Sequence, residues 1–148
     1  MTRTYKKNNT PIPDVEMYRF KNRKSMRQPP LNTTHEIIFP TAANHSAHAY
    51  GNIGVHVIAT VSLIAFVEQT CGQLLLPFLD PTEISVGTIV SVKHKAPASI
   101  GAQVRSCATL IKQNKQKVIF SVAVYHKDRL LLEGTHGRVV CSKDVLSL

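Results

Sequence analysis

Apolar and polar positions alternate in four runs of the C-terminal half. Val86, Thr88, Val90, Val92 and His94 share one parity; Pro97 closes that run, and Ile100 and Gly101 open the next. Val104, Ser106, Ala108 and Leu110 alternate up to a polar turn at 112–116. Val118, Phe120, Val122 and Val124 follow up to a turn at 126–129, and Leu130, Leu132, Gly134, His136, Arg138 and Val140 complete the set. A period of two puts every second side chain on one face, so these runs predict strands of an antiparallel meander. Upstream, Glu36 to Phe39 reads as a short strand ended by Pro40. The small-residue stretch from Thr41 to Gly54 reads as loop.

Between loop and meander the period changes. From Val61 to about Leu79 the chain is apolar around nearly its whole circumference. Thr60 is a suitable N-cap, and Asp80-Pro81 is a stop. Such a helix must be covered on all sides. A meander of this size covers one, and a second copy of the chain is the economical cover for the rest. One long helix followed by a run of strands is an α+β pattern, an antiparallel sheet wrapped around a central helix.

Composition adds boundaries. The chain has 148 residues, 43% of them apolar, enough for one domain with a real core. The net charge is +9, but through Asn32 eight bases face only Asp14 and Glu16, a net of +6 that leaves +3 for the rest. Residues 1–33, with Pro11, Pro13, Pro29 and Pro30, are expected to form a basic, mostly disordered arm, and residues 34–148 the domain. With the charge in the arm and no aromatic-studded basic stretch in the domain, no specific nucleic acid is expected. Cys71, Cys107 and Cys141 are scattered and odd in number, which fits a reduced, cytoplasmic setting with the thiols as small core residues. Glu68, Gln69, Gly72, Gln73 and Pro77 interrupt the longest apolar stretch, so no membrane span is expected, and the N-terminus lacks the apolar core of a secretory signal.

Glu68 is the only carboxylate between Glu36 and Asp80. On a buried helix an unpaired carboxylate costs several kcal/mol, so it must be paired, protonated or at work. His94 shares parity with Val90 and Val92 and is expected to point at the helix, with Lys93 and Lys95 on the other face. A carboxylate and an imidazole facing one another can activate water or a hydroxyl. Thr60 lies eight residues before Glu68, about 12 Å along the axis on a neighbouring helical face, within the span of one substrate. Amides at the helix N-terminus can receive a developing oxyanion. His45, His48 and His56 lack a matching Cys or carboxylate, so no metal site is expected, and no phosphate loop, nucleophile elbow or Cys-x-x-Cys occurs.

Several segments in order resemble one family. Val57 to Thr60, Leu63 to Glu68, Leu76 to Leu79, Ser85 to Thr88, Val92 to His94 and Glu133 to Arg138 are similar to hotdog-fold acyl-CoA thioesterases of the fluoroacetyl-CoA thioesterase type. The resemblance covers about Ala42 to Val140. It implies a dimeric hotdog, with a tetramer also open, acting on an acyl-CoA substrate with Thr60, Glu68 and His94 as catalytic residues. It also implies Gly87, Thr88 and Arg138 near the substrate, and no cofactor. Two features depart from the family: Val61 stands where many members have proline or glycine, and no aromatic lid can be placed between Phe39 and Gly54. Hydrolysis of short acyl-CoAs in general is therefore the expectation, with Lys93, Lys95 and Arg105 as candidate contacts for CoA phosphates.

Two rival functions use the same fold. A hotdog enoyl-thioester hydratase or dehydratase also works with a His and a carboxylate, but its His-x-x-x-Pro-Val-x-Pro-Gly type of motif is missing. A non-catalytic acyl-CoA-binding regulator needs no Thr60, Glu68 and His94 set.

Overall fold

The computed structural model describes residues 26–146. The chain runs β1 (Thr34–Pro40), α1 (Thr60–Leu75), β2 (Glu83–His94), β3 (Gln103–Asn114), β4 (Lys117–His126) and β5 (Arg129–Ser142). All neighbouring strands are antiparallel, in the order β1-β3-β4-β5-β2, so the meander β3-β4-β5 is flanked by β1 and by β2. The sheet wraps the helix as the α+β pattern requires. Leu63, Phe66, Val67, Cys71, Leu74 and Leu75 of α1 share one core with Val104, Leu110, Phe120, Val124, Leu132 and Val140. Each such aliphatic or aromatic side chain contributes about 1.5–3 kcal/mol by leaving water.

Three local expectations change. Alternation holds along β4 and along β3 up to Leu110, where Ile111 is an extra residue, but β2 carries a bulge near its middle: Gly87 pairs with Arg138 and Ile89 with Gly137, leaving Thr88 as the extra residue. Gly87 therefore faces the helix before the bulge, and Val90, Val92 and His94 face it afterwards, so Val86 and Thr88 do not belong to one parity with them. The helix ends at Leu75 and tightens into a 3-10 turn over Leu76–Phe78, because Pro77 cannot continue the α ladder. The helix is also not covered all round within one chain. Val61, Ala65, Gln69, Gln73 and Leu76 are exposed, Val61 at 46% and Leu76 at 66%. Thr60–Phe78 is long and apolar enough to cross a membrane, yet its inner face lies on the sheet as a core helix does.

Residues 1–25 of the expected arm lie outside the described residues. Its remaining part is attached to the domain. Met26 is fully buried in the core, the Arg27 amide donates to Phe78 O at 3.2 Å, and the Asn32 amide donates to Leu110 O at 2.8 Å. The domain thus begins earlier than residue 34.

Cys71 and Cys141 are buried as expected, and burial pushes the Cys71 thiol up to about 12. Cys107 is not a core residue. It lies half-buried on the outer face of the sheet, its Sγ 3.3 Å from Glu36 Oε2 and 3.1 Å from Arg105 Nη1.

Candidate active site

The loop before α1 is tied to the segment after β2. Val57 bridges to Ser99, and the Ile58 amide donates to Ala98 O at 2.8 Å. The Ala59 amide and the Ser62 hydroxyl both donate to His45 O, at 2.8 and 3.0 Å, fixing the helix start against the loop. These bonds bring the first residue of α1 beside the last residue of β2.

Thr60 is that first residue. Ala59, extended at φ −67° and ψ 146°, occupies the N-cap position, so the Thr60 hydroxyl does not cap the helix as the sequence suggested. It lies instead 2.8 Å from His94 Nδ1. The other ring nitrogen, His94 Nε2, is 3.0 Å from Ala96 O. A carbonyl only accepts, so the neutral ring carries its proton on Nε2, and Nδ1 offers a lone pair to the Thr60 hydroxyl proton. Hydroxyl, base and orienting acceptor form one hydrogen-bonded chain.

Glu68 belongs to a second cluster, two turns along the helix. The sequence predicted a carboxylate hidden in grease and facing His94; its partners are others. Oε2 is 3.3 Å from His136 Nε2, Oε1 is 3.5 Å from Arg138 Nη1, and the side chain is 47% exposed in the single chain. Gly87 makes the wall. A Cβ there would lie 2.5 Å from Glu68 Oε1 and 2.9 Å from both Cδ and Oε2, so only glycine leaves room for the carboxylate in this position.

Arg138 holds the cluster to the sheet. It is buried, with Nε on Ser85 Oγ at 3.0 Å, Nη2 on Ser85 O at 2.9 Å and Nη1 on the Glu68 backbone carbonyl at 3.1 Å. Burial depresses its pKa below the usual arginine value, an effect that Glu68 opposes. Expected as a substrate contact, Arg138 lines a cavity along the exposed helix face, and its three nitrogens have protein acceptors on Ser85 and Glu68 that join α1 to β2. In the sequence His136 is one member of the β5 alternation; its parity with Leu132 and Arg138 is the signal that puts it under the helix.

The outward bases take part in surface pairs. Lys95 Nζ is 3.1 Å from Glu133 Oε1, and Arg105 Nη1 is 3.0 Å from Glu36 Oε2 with its guanidinium 4.9 Å from the centre of the Tyr125 ring. Lys93 and Lys95 do face away from the helix. His48 and His56 stack at 5.0 Å, and among the described residues no three His, Cys, Asp or Glu side chains gather as a metal site.

A cavity of about 580 Å³ opens along the exposed helix face, lined by Val61, Ile64, Ala65, Glu68, Gln69 and Arg138 among others. Its lining is mostly apolar, with Glu68, Gln69, Gln73 and Arg138 as the polar members, a suitable environment for a short acyl chain.

Comparison with known proteins identifies the family and the fold. Residues 41–144 match the family described as fluoroacetyl-CoA-specific thioesterase. The chain is 30% identical over 84 residues to the fluoroacetyl-CoA thioesterase of Streptantibioticus cattleyicolor, a match spanning 57% of this chain and 60% of that protein's length. Among solved structures, a fluoroacetyl-CoA thioesterase superposes with a TM-score of 0.74 at 21% identity, covering 79% of this chain and 91% of the other. A Thermus thermophilus member of the thioesterase superfamily gives 0.75 at 24% identity, covering 80% and 88%. A hot-dog-like protein from Thermanaerovibrio acidaminovorans gives 0.73 at 21%, covering 79% and 87%. The fold is the hotdog.

Proposed function

The chain belongs to the fluoroacetyl-CoA-specific thioesterase family, and from that membership and the geometry of Thr60 and His94 we propose that it hydrolyses acyl-CoA thioesters to a free acid and CoA. The observation that carries this reading is the 2.8 Å contact between the Thr60 hydroxyl and an imidazole nitrogen whose tautomer Ala96 O dictates. His94 takes the Thr60 proton as Oγ1 attacks the thioester carbonyl, and returns it to the departing CoA thiolate. The acyl-threonine ester so formed is then hydrolysed by water, which regenerates the hydroxyl. Glu68, two turns further along α1, lines the cavity from which that water is drawn and orients water there. Among the first-turn amides, those of Ser62 and Leu63 already bond to Ala59 O, so those of Thr60 and Val61 are the donors for the oxyanion.

The working form is a homodimer. β1 is a short edge ended by Pro40, whereas β2 is an edge of twelve residues with Ile89 and Val90 exposed. Such an edge invites pairing with a second chain. Pairing β2 with its symmetry mate also covers the exposed stripe from Val61 to Leu76 and shuts the Glu68 carboxylate away from bulk water. Short acyl groups in general are the proposed substrates, because the cavity along the helix is small and mostly apolar. Three free thiols support a reducing, cytoplasmic setting.

The test is purified protein against a panel of short acyl-CoAs with detection of free thiol. Release of CoA is expected; no release from any acyl-CoA overturns the assignment.

A further inference from the structure

His136 raises a question that the proposed chemistry leaves open. Its side chain is fully buried, yet its Nδ1 is a buried nitrogen with no hydrogen-bond partner. An apolar residue of similar volume fills such a site without leaving a polar atom unsatisfied. Something must therefore favour an imidazole here. Burial lowers the pKa of the ring, Glu68 pulls it the other way, and the Arg138 charge adds to the lowering. A neutral ring has a single N–H, and a carboxylate can only accept, so the proton sits on Nε2 and is directed at Glu68 Oε2. The close approach is thus a hydrogen bond from a neutral ring, with the unpartnered Nδ1 as its consequence.

The rest of the cluster completes a three-sided mount. Arg138 approaches the other carboxylate oxygen, and the bare backbone of Gly87 forms the third side. Glu68 also lines the cavity along the helix. We propose that His136 is a positioning residue that holds the Glu68 carboxylate against Gly87 in its working orientation; this rests on the hydrolase reading above.

The test uses three substitutions in the full chain, each checked for folding by its melting temperature. Gln carries its amide nitrogen where His136 has Nε2; Asn carries it one carbon short, nearer the Nδ1 position; Leu carries no donor. His136→Leu and His136→Asn are expected to lower kcat about 10- to 100-fold with KM within about twofold, since misplacing a reacting group by about 1 Å has effects of this size. His136→Gln should recover most of the loss. In a Glu68→Gln background His136→Leu should lower kcat no further, because it acts through Glu68. Wild-type kcat in His136→Leu, an equal loss in both backgrounds, or no rescue by Gln overturns the proposal. A crystal structure of His136→Leu gives a readout independent of turnover. A carboxylate swung away from Gly87 supports the role, and one unmoved against Gly87 refutes it even if the wild-type protein hydrolyses no acyl-CoA.

Discussion

Thr60 Oγ1 and His94 Nδ1 lie 2.8 Å apart although 34 residues separate them in the chain, and Ala96 O holds the opposite ring nitrogen. A histidine fixed in this tautomer is ready to accept a hydroxyl proton without first rearranging. Because Ala59 occupies the N-cap position, the hydroxyl has no structural duty at the helix start.

Thr60→Val keeps the shape and removes the hydroxyl. Its kcat should fall by at least ~100-fold. Loss of an N-cap costs about 1 kcal/mol, and that loss should be absent here, leaving the melting temperature within about 2 °C of wild type. Thr60→Ser should retain measurable turnover. Steady-state kinetics and calorimetry of the two variants check this.

Gly87→Ala should leave the fold intact and damage the chemistry. The added Cβ meets only the far end of the Glu68 side chain, which can swing aside. A fall in kcat of about 10- to 100-fold with little change in melting temperature is expected. Gly134 provides the contrast: with φ at +155° and a Cβ position 2.1 Å from Ser91 O, Gly134→Ala collides with backbone. About 3 kcal/mol of stability should be lost, visible in denaturant unfolding.

Stability should fall on acidification. Burial lowers the folded-state pKa of His136, while in the unfolded chain the ring titrates near its ordinary value of about 6.5. As pH drops through that value the unfolded chain takes up a proton that the folded chain resists, so the unfolded state gains. The contribution is complete above about pH 6.5 and is lost below it. Melting temperatures between about pH 7.5 and 5 should decline, and His136→Gln should flatten part of the decline. An identical slope in the variant contradicts the assignment.

How far the sequence carried the structure depends on the period of each segment. β4 and the first part of β3 follow from alternation, because a residue out of parity there breaks the core; in β5 the pattern slips at Leu131, which is extra between Leu130 and Leu132, so Leu130 does not share the inward parity read from the sequence. Thr60, Glu68 and His94 stood out because polar groups interrupt apolar runs. The partner of Glu68 did not. Glu68 and His94 were expected to face one another as two inward-facing residues, but alternation gives a face and not a position along it. The bulge at Thr88 was illegible for a related reason: one extra residue flips parity without changing composition. Gly87 carried no periodic signal at all, since its role is the absence of a side chain beside Glu68.

The proposed dimer gives a further expectation. Leu76→Glu or Val90→Lys places charge on the exposed helix face or the β2 edge. Sedimentation should then report a monomer where the wild-type chain is a dimer, with turnover lost along with association. A wild-type chain that sediments as a monomer at full activity contradicts the dimer.

The central claim is that His94 activates the Thr60 hydroxyl for attack on an acyl-CoA. The most direct measurement is the rate of CoA thiol release from short acyl-CoAs by the wild-type chain and by His94→Ala at equal concentration. Steady release by the wild type and a rate lower by at least ~100-fold in the variant is the predicted result. Equal rates in the two proteins contradict the claim.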